Sequence, residues 1–179
     1  MREDLLTLRL VFVLVVVIGL QETVGAGISI DRVHPDLVVL LCAVTGMVAG
    51  AEQGAVIGFL GGLAADVFLT TPLGLSALSY TVIGYVVGTV QRGIIHPTWW
   101  LTPVISAVAS GAGVALYAVA GSIIGESYMV HAGLSRIVVV VAVINAVLSL
   151  PMLAAVQWAL RPSGGRRLSR PTTLGGVRR

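Results

Sequence analysis

Lysine is absent from this chain, and all eleven of its basic residues are arginine. Charge of either sign is scarce. Only 11% of the 179 residues are charged, against roughly 25% in soluble domains. That scarcity excludes a well-solvated globular surface, and a mean hydropathy of +0.99 points to an integral membrane protein. The single cysteine, Cys42, excludes an intrachain disulfide and reads as a small packing residue. Catalytic signatures are also missing: there is no His-Glu-x-x-His zinc motif, no Gly-x-Ser-x-Gly elbow and no P-loop. Ser76 and Ser106 lack a histidine within helical reach. The polar connections are too short to form a nucleotide-binding domain. The expectation is a protein that is not an enzyme and holds no cofactor.

What remains is a series of six apolar stretches, at 5–25, 35–51, 54–69, 73–90, 99–124 and 137–160. A bilayer core of about 30 Å needs roughly 20 helical residues per crossing. Continuous apolar runs without period-two alternation select helices over a barrel. The expected fold class is therefore all-α: one bundle of six transmembrane helices over residues 1–161, followed by a basic disordered tail over 162–179.

The arginines orient the bundle. With an internal N-terminus, Arg2, Arg9, Arg92, Arg161, Arg166, Arg167, Arg170, Arg178 and Arg179 fall on the cytoplasmic side, and only Arg32 and Arg136 fall outside. That bias places both termini in the cytoplasm of a multi-pass protein of the bacterial inner membrane. A pI near 9.6 would suit nucleic acid, but this asymmetry assigns the charge to the lipid surface. Arg161, Arg166, Arg167, Arg170, Arg178 and Arg179 are the membrane-surface candidates, each worth about 1 kcal/mol near anionic lipid. Residues 1–26 have a second reading as a signal peptide cleaved after Val24-Gly25-Ala26; the length of the apolar stretch, with Glu3 and Asp4 in front of it, disfavours that reading.

Glycine is abundant, and it is spaced. Gly46 and Gly50 precede a short linker, Ala51-Glu52-Gln53, and Gly54, Gly58 and Gly62 follow it. Four residues is a little over one helical turn, so each set forms a smooth strip along one face. Gly74, Ser76, Ala77, Gly84 and Gly88 supply another small-residue surface. In lipid, close approach through small residues drives helix association, so the second to fourth stretches read as one tightly packed unit.

The polar residues inside apolar runs are few. Asp66 lies in the outer third of the third stretch, where an ionised carboxylate facing lipid is costly. It is either a ligand or proton site, or an acceptor for free N–H groups at the start of a neighbouring helix; the nearby Thr71-Pro72 favours the second. Pro35 is expected to open the second helix with Asp36 in its first turn. Asn145 is expected to face other helices and Pro151 to kink the last one. Trp99-Trp100 sit at an interfacial depth. Asp31, His34, Asp36, Glu126 and His131 all lie toward the outer surface, but without metal-ligand spacing; no metal site is expected.

Residues 35–90 resemble the rod shape-determining protein MreD family. The matching residues are Pro35-Asp36-Leu37, then Gly54, Gly58-Phe59, Gly62-Leu63 and Asp66, then Leu73-Gly74, Ala77-Leu78, Tyr80, Gly84-Tyr85 and Gly88. The resemblance implies a non-enzymatic scaffold of the cell-elongation complex. Its implied partners are the single-span membrane protein MreC, with RodA, a class B penicillin-binding protein and, indirectly, the MreB filament. It also implies a fold similar to the S-component of energy-coupling-factor transporters. The principal rival is accordingly a vitamin-type solute-binding subunit, whose outward pocket would be lined by Asp36, Asp66 and Tyr80. A membrane hydrolase would need a nucleophile–base pair that the sequence does not offer.

Overall fold

Apolar runs that lack strand alternation coil into helices, and each of the six stretches coincides with one, α6 continuing through Pro151. The computed structural model describes residues 2–27, 36–68, 73–93, 100–123 and 134–161. They form α1 (Arg2–Gly27), α2 (Leu37–Ala49), α3 (Ala51–Phe68), α4 (Leu75–Arg92), α5 (Leu101–Ile123) and α6 (Leu134–Leu160), with no strand among them. Asp31, Arg32, His34, Pro35, His96, Trp99, Glu126, His131 and the tail with Arg166, Arg167, Arg170, Arg178 and Arg179 lie outside the described residues.

α2 is the centre. Its residues 37–46 are buried, and the other five helices surround it. Val38, Leu40, Cys42, Ala43, Val44 and Thr45 have no solvent exposure. Thirteen residues give α2 a length of about 20 Å. α3 and α4 make the most extensive contact of any pair, and α5 packs chiefly against α6. Two helical segments, Leu101–Ile123 and Ile137–Leu160, are long and apolar enough to cross a membrane; α2 is apolar but shorter.

The link between α2 and α3 is tighter than the expected Ala51-Glu52-Gln53 connection. Those three residues already form the first turn of α3, and the reversal is made by Gly50 alone. Its φ of 98° and ψ of 173° belong to a region essentially restricted to glycine. Gly50 is thus the turn residue, and its main chain also lies against α4, where a β-carbon on Gly88 would come within 2.7 Å of its carbonyl carbon.

Candidate functional site

α3 and α4 are held at backbone contact along their whole length. Ala51 faces Gly88, Gly54 faces Gly84, Gly58 faces the main chain of Tyr80, and Gly62 faces Ala77. The steps of three and four residues keep these positions on one face of each helix. A β-carbon on Gly62 would lie 2.5 Å from the Ala77 Cα, and one on Gly54 would lie 2.6 Å from the Gly84 carbonyl oxygen. α2 joins at the same place: a β-carbon on Gly46 would lie 2.5 Å from that same oxygen. Three helices therefore meet where Gly46, Gly54 and Gly84 carry only hydrogen, the condition under which packed helices approach most closely.

Gly74 works differently. Nothing lies within 4 Å of where its β-carbon would be, but its φ is 101°. It caps α4 in the left-handed region, where glycine avoids the strain of a side chain.

At the end opposite the α2–α3 turn, side chains satisfy the helix starts. The first N–H groups of a helix have no partner within it. Asp66, only 1% exposed, accepts from the main-chain N–H groups of Gly74 at 2.7 Å, Ser76 at 3.1 Å and Ala77 at 3.4 Å. The register of α3 against α4 sets this up, because one turn beyond Gly62 falls opposite the first turn of α4. Asp36 does the same for its own helix, accepting from Val39 N–H at 3.0 Å through Oδ1. The helix starts at Leu37, so Asp36 is its cap and not a first-turn residue. The side-chain Oε1 of Gln21 in α1 accepts from Leu37 and Val38 N–H at 2.8 and 3.2 Å.

Asp36 also ties three helices together. Its Oδ2 accepts from the Tyr80 hydroxyl of α4. Its main-chain oxygen accepts from Asn145 Nδ2 of α6 at 2.9 Å, and the same amide reaches Ser110 Oγ of α5 at 2.8 Å. Asn145 Oδ1, Ser76 Oγ, Ser106 Oγ and Thr45 Oγ1 are buried without a hydrogen-bond partner.

At the turn end, Arg9 of α1 donates to the carbonyl of Arg161 at 3.1 Å and stacks over the Trp158 ring at 5.7 Å. It thereby satisfies one of the open carbonyls at the end of α6. Arg161 itself is exposed.

The structure thus gathers Asp36 and Tyr80 into one cluster and sets Asp66 at the start of α4, while Gly54, Gly58, Gly62, Gly84 and Gly88 line the α3–α4 contact. Spacing alone gives no site role to Gln21 or Ser110 and only a topological one to Arg9; each is a polar side chain within or near the end of an apolar stretch, with partners 16 to 152 residues away. Among the described residues no three His, Cys, Asp or Glu side chains gather as a metal site would require.

The described residues thus form an all-helical packing assembly in which α3 meets α4 at main-chain contact and Asp36 and Asp66 are bonded to helix starts. Residues 2–159 match the family model of the rod shape-determining protein MreD, and the chain belongs to that family. Members are membrane-associated, structural proteins of rod shape determination. No curated protein matches the chain, and no solved structure does.

Proposed function

We propose that this protein is a six-span inner-membrane scaffold of the cell-elongation complex, with both termini cytoplasmic, which recruits an MreC-type single-span protein through helix contact. RodA and a class B penicillin-binding protein follow as membrane partners, with MreB reached indirectly. The single observation that carries the reading is the main-chain contact of α3 with α4 around Gly54 and Gly84. It makes a rigid unit whose specificity is shape.

Family membership supplies the process. The surface supports the membrane setting: Phe12, Val15 and Val16 on α1, Phe59 and Val67 on α3, Leu78 and Val86 on α4, Val108 on α5 and Val147 on α6 are all exposed. An apolar girdle on so many helices exceeds what a soluble monomer presents. Asp36 and Asp66, which a solute-binding subunit would aim into an outward pocket, are instead bonded to helix starts and to Tyr80. The transporter reading has no support among relatives.

Depletion of the protein in its native cell tests the reading. Rods are expected to round up, and re-expression is expected to restore them. Reporter fusions at each terminus are expected to report a cytoplasmic location. Cells that stay rod-shaped after depletion, or a terminus that reports outside, would refute it.

A further inference from the structure

We propose that the turn end carries a site for the phosphate group of an anionic phospholipid, in the groove between the α2–α3 turn and the end of α6. The groove is wide open on one side, offers about 500 Å³ and is lined by Val48, Ala49, Gln53, Gln157, Leu160 and Arg161.

The lining is divided in a way that fits an amphiphile. Gln53, Gln157 and Arg161 present two carboxamides and a guanidinium, all able to donate N–H to an oxyanion, and the guanidinium can do so with two parallel bonds. Val48, Ala49 and Leu160 supply the apolar part of the lining. A free inorganic phosphate has no use for apolar neighbours, whereas the glycerol and first methylenes of a lipid do. The apolar surface continues away from the groove along α6, where Val147, Leu150 and Trp158 are exposed on one face. The exposed Trp158 indole at this end of α6 suits the headgroup level of a bilayer.

The charge is complementary. No carboxylate lines the groove. Arg9 lies beside it, fixed between Trp158 and the Arg161 carbonyl. Arg92 flanks the same turn, with Nη2 3.7 Å from where a β-carbon of Gly50 would stand. Glu52, exposed on the first turn of α3, is the acidic residue nearest in sequence, so the described side chains here leave a positive balance. A bound headgroup would bridge the α2–α3 turn to α6 and so fasten the core hairpin to the outermost contact of α1.

The proposal rests on the membrane reading above, and the test separates the two. The full chain is reconstituted in nanodiscs of phosphatidylcholine and phosphatidylglycerol in equal parts, and each retained lipid is counted by native mass spectrometry after release into neutral detergent. One phosphatidylglycerol per chain is expected to be retained in preference to phosphatidylcholine. A combined Gln53→Leu, Gln157→Leu, Arg161→Gln variant is expected to bind it about tenfold more weakly, as loss of charge-assisted hydrogen bonds implies. Circular dichroism checks that this variant stays helical. Neutralising Arg166, Arg167 and Arg170 to glutamine is expected to leave the bound lipid in place. Equal retention of phosphatidylcholine, wild-type binding by the groove variant, loss of the lipid with the tail variant alone, or displacement by excess inorganic phosphate would each overturn the proposal. Carbonate extraction distinguishes the readings: a chain that stays in the membrane but retains no lipid sinks this site only, while a chain that is released sinks the membrane reading as well.

Discussion

Gly54 and Gly84 touch through their main chains so closely that neither position has room for a β-carbon. The contact joins α3 to α4, and Gly46 of α2 reaches the same carbonyl oxygen of Gly84. Because the obstructing atoms are backbone, no rotamer change can relieve an added methyl. The helices themselves must move apart.

Gly84→Ala is therefore expected to destabilise the bundle by about 1–3 kcal/mol, the usual cost of overpacking, read as a lower melting temperature in detergent. Gly54→Ala is expected to act in the same direction, and the pair together to cost less than the sum, since the first methyl already opens the contact. Gly19→Ala is the control. Nothing lies within 4 Å of its β-carbon position, so it is expected to be neutral or slightly stabilising.

Asp66 bonds three N–H groups at the start of α4. Asp66→Ala leaves those donors buried and unpaired, and is expected to cost about 1–3 kcal/mol. Asp66→Asn keeps one acceptor and is expected to fall between the two. A normal melting curve for the alanine variant would remove Asp66 from the structural account.

Gly74 tests conformation separately from space. Its φ is 101° and its surroundings are open, so Gly74→Val is expected to destabilise by about 1–2 kcal/mol through backbone strain alone. Gly74→Asn, which tolerates the left-handed region better, is expected to lose less. Equal effects of the two would show that strain is not the cause.

Tyr80→Phe removes the hydroxyl that Asp36 accepts from. The expected loss is about 1–3 kcal/mol. In a cycle with Asp36→Asn, the coupling between the two is expected to be measurable by thermal melting, because they share one hydrogen bond. Additive losses would mean that the two side chains act independently.

How much of this could be read from the sequence depended on range. Gly54, Gly58 and Gly62 stand four apart, and helical geometry alone puts them on one face. That they meet Gly84 and Gly88 follows only once the α3–α4 neighbours and their register are known. Asp66 announces itself, since a carboxylate within an apolar run needs donors, and a helix start lies eight residues on. Asn145 also stands out as polar, yet its partners, the carbonyl of Asp36 and the hydroxyl of Ser110, lie on two other helices. By spacing, Gly50 and Gly74 belong to small-residue strips. Their positive φ angles make them turn and cap residues, a distinction that composition and spacing do not carry. Arg9 reads in the sequence as a topogenic charge, because its stacking on Trp158 depends on α1 lying against the end of α6.

The most direct experiment is affinity purification of the tagged protein from its native membranes, with the co-eluting single-span partner quantified against the bait. If backbone-close packing builds the recruiting surface, the partner co-elutes with the wild type and with Gly19→Ala, and is lost with Gly54→Ala/Gly84→Ala at equal bait recovery. Partner recovery that is unchanged by the glycine pair, or co-elution of an ATPase pair with a transmembrane coupling subunit instead, would contradict a scaffold that works through helix contact.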